Sequence, residues 1–82
     1  MNELSYLMDK ALNTIEILQQ IKKNNELIIE GKEIIDIQLS MIKILMEKAL
    51  FANIEDEPKL IKLMSEQIID SNRFIDSITK KS

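Results

Sequence analysis

Residues 34–52 read IIDIQLSMIKILMEKALFA, and thirteen of these nineteen positions are apolar. The polar residues among them are ordered all the same. Asp36, Ser40, Lys43 and Glu47 step by four, three and four, which on a helix draws one narrow solvated stripe. A helix with so little polar surface has to be covered from at least two sides, so this segment is expected to be the most buried element of the fold.

Upstream, Leu4, Leu7, Ala11, Leu18 and Ile21 recur at steps of three, four or seven, with Met8 and Ile15 widening the stripe on one side. The spacing predicts an amphipathic helix over residues 3–23. Downstream, acidic Glu55, Asp56 and Glu57 with Pro58 complement the amide-rich start of a third helix, and Lys80 and Lys81 suit its carbonyl-rich end. There Leu60, Ile61, Met64, Ile68, Ile75 and Ile78 form the stripe, with Leu63, Ile69 and Phe74 beside it. Gly and Pro occur once each, too rarely for the turns that a sheet needs.

The first junction carries competing signals. Lys22, Lys23, Asn24 and Asn25 look like a helix end followed by a possible Asn cap, while Gly31 is an equally standard stop. A third option has no turn at all, because Leu4, Ala11 and Leu18 in one row and Leu7, Ile21, Ile28, Ile35, Ile42 and Ala49 in the other keep one heptad phase from residue 4 to residue 49. Against continuity, Asn25 and Lys32 would fall on the seam and an interior Gly31 would cost about 1 kcal/mol relative to Ala. The expectation is a break or sharp bend within residues 23–32 and a single all-α domain over residues 1–82. Its helices span about 3–23, 32–52 and 58–79, packed as a small antiparallel three-helix bundle, up-down-up. The alternative is a long helical hairpin that dimerises.

Composition narrows the function. A chain of 82 residues hides only about 60% of its unfolded surface, and small folds usually add disulfides, a metal or a partner chain. Cysteine is absent, which removes disulfides and thiolate zinc sites, and histidine is absent, which removes histidine bases and triads. The remaining candidate acids and bases, namely Asp, Glu, Lys and Tyr6, would each need a buried site to be tuned for catalysis. No enzyme, cofactor, metal or small-molecule substrate is expected. A net charge of −3, with 11 Lys and Arg against 14 Asp and Glu, gives no field that would draw nucleic acid. The acidic start and the lack of any apolar run of five residues argue against a secretory signal and a spanning helix, so a cytoplasmic protein is expected, with export by a route that needs no cleaved signal left open.

The acidic cluster Glu55, Asp56 and Glu57 lacks the alternating ligands and turn glycine of a calcium loop and reads as a helix start. The stripe Asp36, Ser40, Lys43 and Glu47 reads as a solvated face, with Lys43 and Glu47, Lys22 and Glu26, Lys32 and Asp36, and Lys62 and Glu66 repeating the four-residue spacing of surface ion pairs. Met8, Met41, Met46 and Met64 fit irregular core gaps or an adaptable groove. The hexapeptides LMDKAL (7–12) and LMEKAL (45–50) look alike, but nothing around them repeats.

From Asp56, Glu57 and Pro58 through the amphipathic run Leu60 to Ile78, about the last thirty residues, the chain resembles the small helical-hairpin proteins of bacterial type III secretion, needle subunits and their co-chaperones. It departs from needle subunits in lacking a long polar tail after the final helix and in having an apolar middle segment. The resemblance implies a chain that shields a partner's helix or assembles with copies of itself.

At 45% apolar residues, the chain carries more stripe than one small bundle readily buries, and exposed apolar surface of that extent marks an interface. The expected function is a helical protein-protein interaction module, adaptor or chaperone-like, that buries a partner helix against Ile35, Leu39, Ile42, Met46, Ile61, Met64, Ile68 and Ile75. The partner is another protein, or a second copy in a homodimer or hetero-oligomer. A self-assembling structural subunit, secretion-associated in the sense of the resemblance, is the alternative.

Overall fold

The computed structural model describes residues 3–23 and 29–79, and all structural statements below refer to these. Helix α1 spans Glu3–Lys23 and α2 spans Ile29–Leu50. A single 3-10 turn at Ile54–Asp56 then leads into α3, Glu57–Thr79. No strand occurs among the described residues, and the protein is a small all-α three-helix bundle. Each helix packs against both of the others.

The helix directions follow from side-chain pairs. Lys22, near the end of α1, bonds Asp36, early in α2. Gln38 in α2 bonds Gln67 and Ser71 in α3. Further along, Lys48, Phe51, Asp56, Lys59 and Leu60 line one cleft where α2 ends and α3 begins. Both neighbours therefore run antiparallel to α2. The molecule measures 43 × 19 × 16 Å, whereas one unbroken helix over residues 4–49 would alone reach about 70 Å at 1.5 Å per residue. The hairpin built on a single long helix is thereby replaced by helices lying side by side.

The two stop signals at the first junction fare differently. Gly31 lies inside α2, which begins at Ile29 instead of residue 32. It has no positive φ, so it is an ordinary helical residue. The Asn24–Asn25 junction lies outside the described residues. An interior helical glycine gains nothing from its missing Cβ, so Gly31→Ala is expected to stabilise the protein by about 0.5–1 kcal/mol, measured as a raised urea midpoint with unchanged slope.

At the second junction, the Phe51 and Ala52 amides close the end of α2 on the carbonyls of Lys48 and Ala49. The extended backbone of Asn53 then opens the 3-10 turn, where the Asp56 amide donates to the Asn53 carbonyl at 3.0 Å. Glu57 and Pro58 occupy the first turn of α3, where a missing amide proton costs nothing and a carboxylate complements the helix dipole.

The core is one cluster fed by all three helices: Leu7, Ala11, Ile15 and Leu18 from α1; Ile35, Leu39 and Ile42 from α2; Met64, Ile68 and Ile75 from α3. Within it sits a closed polar triangle. Gln67 Nε2 donates to Gln38 Oε1 at 2.7 Å and to Ser71 Oγ at 3.1 Å, and Ser71 Oγ donates to the same Gln38 oxygen. The buried Thr14 hydroxyl returns its proton to the Lys10 carbonyl. Every buried side-chain polar atom among the described residues has a partner. An unpaired polar group would cost about 1–3 kcal/mol, so the triangle penalises any slip of α2 along α3 that would break it.

Candidate functional site: the α2–α3 groove

The eight side chains expected to meet a partner are mostly spent inside the molecule. Ile35, Leu39, Ile42, Met64, Ile68 and Ile75 are buried, and Met46 and Ile61 are half-buried against the same core. This corrects the placement of the binding face. The most regular stripe of each helix is the one that its own neighbours cover, and a side chain enclosed there is not presented to a second molecule.

A different set of apolar side chains stays outside. On α2, Ile34, Ile37, Met41 and Ile44 are exposed, with Ile37 at 57% and Ile44 at 52%. Their steps of three, four and three place them in one row along the helix, and the row continues through Lys48 to Phe51, which is 86% exposed. On α3, Lys59, Leu63, Glu66 and Asp70 step by four, three and four in a second exposed row. Met41, Ile44, Lys48 and Phe51 of the first row and the whole of the second form the walls of a groove, while Ile34 and Ile37 continue the first row beyond it. Met41, Ile44, Leu45, Leu63, Glu66, Gln67 and Asp70 line one half, Lys48, Phe51, Ala52, Asp56, Lys59 and Leu60 line the other, and Leu63 belongs to both.

The opposite edge of α2 differs in character. Between α1 and α2 the cleft is lined by Gln19, Lys22, Lys23, Asp36, Leu39, Ser40 and Lys43. Lys22 holds Asp36 there in an exposed ion pair, worth roughly 0–1 kcal/mol. The polar stripe Asp36, Ser40, Lys43 and Glu47 is thus solvated, although Asp36 reaches across to α1 and not to Lys32. Exposed apolar residues elsewhere are scattered: Tyr6, Leu12 and Ile17 on α1, Leu50 at the end of α2, Ile54 in the 3-10 turn and Ile69 on α3. Lys10 lies over the Tyr6 ring, 5.1 Å from its centre.

Glu55 and Asp56 lie in the 3-10 turn and Glu57 opens α3. The charged side chains of residues 3–23 and 31–79 all lie at exposed or half-exposed positions, and Thr14, Gln67 and Ser71 are the polar residues buried among them. Each of those three is held by its hydrogen bonds in the core.

The second row of α2 carried a signal in the sequence. In a three-helix bundle, each helix needs a single apolar face, roughly a third of its circumference, to reach its two neighbours. Ile35, Leu39, Ile42, Met46 and Ala49 already supply that face. Any other ordered apolar row on the same helix therefore points outward, and Ile34, Ile37, Met41 and Ile44 are such a row.

No helix among the described residues is long and apolar enough to cross a membrane. Comparisons with protein-family models, with curated proteins and with solved structures give no match to this chain.

Proposed function

We propose that this protein is a non-enzymatic helical interaction module, adaptor or chaperone-like in action, that buries an apolar helical surface of its partner against the groove face between α2 and α3. The observation that carries this reading is the exposed, ordered row Ile34, Ile37, Met41 and Ile44, of which Met41 and Ile44 line the groove with Leu63 and which Phe51 extends. Water gains nothing from four branched or long apolar side chains held in line. At roughly 25 cal/mol per Å² of apolar surface, covering them is the largest favourable term this surface offers. Docking a helix on such a row is a known use of secondary structure, with anchors repeating every three or four residues on both sides.

The ionisable side chains of residues 3–23 and 31–79 stand at exposed or half-exposed positions and none is enclosed in a cavity, and this supports a reading through binding and not through catalysis. A chain without cysteine needs no oxidising compartment, and the proposal has the module act in the cytoplasm.

A photoreactive benzophenone side chain at position 44, in the groove, and at position 16, on the exposed face of α1, tests the proposal in host cells. Adducts are expected from position 44 and not from position 16. Equal yields from both positions, or none from position 44, would overturn it.

A further inference from the structure

The α2 wall of the groove is mostly apolar, the α3 wall carries charges on either side of Leu63, and those charges are divided between the two ends. Glu66 and Asp70 stand beside Met41 and Ile44 at one end. Lys48 and Lys59 stand beside Phe51 at the other, with Asp56 next to them. The first end carries two negative charges and the second a net positive one, and Leu63 marks the boundary between the two halves. All four outer charges, Lys48, Lys59, Glu66 and Asp70, are exposed.

A groove with one acidic end and one basic end complements itself after a half-turn. We infer that the occupant of the α2–α3 groove is a second copy of this chain, packed antiparallel about a two-fold axis that crosses the groove at Leu63. In an isologous interface the same patch serves both subunits, so each contact is made twice. The half-turn brings the acidic end, Glu66 and Asp70, over the partner's basic end and the reverse. It also lays the exposed Met41 and Ile44 of each copy toward the Ile44 and Phe51 region of the other. A parallel arrangement would set like charges against like at both ends, which costs what the antiparallel one gains. A standard interface takes about 800 Å² from each partner, a small part of the 6031 Å² that this chain exposes.

The inference rests on the groove reading above and names its occupant. The test is light scattering or sedimentation of the purified full chain across a concentration series, with exposed charges reversed in pairs. The wild type is expected to reach twice the 9.5 kDa chain mass. Lys48→Glu with Lys59→Glu should weaken the dimer by about tenfold or more, and so should Glu66→Lys with Asp70→Lys, because each reversed pair acts twice. Combining all four substitutions should restore association, since the ends are then exchanged but still opposite. A chain that stays monomeric throughout, reversals without effect, or a quadruple variant that does not recover would each overturn the assignment.

The two readings fail differently. A monomeric chain that still gives adducts from position 44 to another protein removes the second copy and keeps the groove. A chain with neither dimer nor adduct removes both.

Discussion

Ile42→Asp is expected to unfold this protein, while Ile44→Asp, two positions along the same helix, is expected to leave it folded. Ile42 is 2% exposed in the middle of the core and Ile44 is half exposed on the outer row. A carboxylate at position 42 would enter an apolar cluster of Leu, Ile and Met side chains with no cation among them. A buried unpaired charge costs several kcal/mol even after relaxation. Small domains have about 5–15 kcal/mol in total, and one of this length stands at the low end. At position 44 the carboxylate stays in water, and surface substitutions of that kind stay within about 0.5 kcal/mol. Circular dichroism with urea titration checks both, and comparable losses of helix in the two variants would show that the outer row is not outside.

Leu18→Ala gives the second large effect. Leu18 is fully enclosed and belongs to the cluster that joins α1 to both other helices. Truncating an enclosed leucine costs about 2–5 kcal/mol, the larger values where the site cannot collapse. With roughly 4–8 °C of Tm per kcal/mol in a domain of this size, the melting point should fall by about 8 °C or more. Leu12→Ala, on the exposed side of the same helix, is the control and should change Tm by no more than a few degrees. Equal shifts for the two variants would contradict the placement of α1 in the bundle.

The architecture was legible because it rests on periodicity, which the chain states redundantly. The stripe from Leu4 to Ile21 gives a helix over residues 3–23, and α1 spans Glu3–Lys23; the acidic run with Pro58 announces α3 to within one residue of its start at Glu57. Gly31 was misleading for a local reason. A glycine stops a helix when the backbone there turns left-handed, and this one does not; the packing of Ile35, Leu39 and Ile42 along the same helix outweighs the intrinsic cost of about 1 kcal/mol.

The candidate site was harder to read, and the difficulty is physical. On α1 and α3 the apolar and polar faces separate, so exposure follows from the pattern. On α2 two apolar rows run side by side, and sequence alone does not say which is enclosed. The decision comes from the neighbours: α3 places Gln67 and Ser71 against Gln38, which turns Ile35, Leu39 and Ile42 inward and leaves Ile34, Ile37, Met41 and Ile44 outside. The bipolar charge of the groove is likewise invisible in the chain order, because Lys48 and Lys59 meet only through the antiparallel pairing of α2 with α3.

The absence of cysteine allows a direct measurement of whether the outer row is covered in the cell. Ile44→Cys places a thiol on the row and Glu47→Cys places one on the solvated stripe of the same helix, both at exposed positions of the isolated chain. The maleimide labelling rates of the two variants are compared in intact host cells and again after denaturation. Slow labelling at position 44 beside fast labelling at position 47, with the difference abolished by denaturant, is the result expected if a helix occupies the groove. Equal rates at the two positions in the folded protein would contradict it.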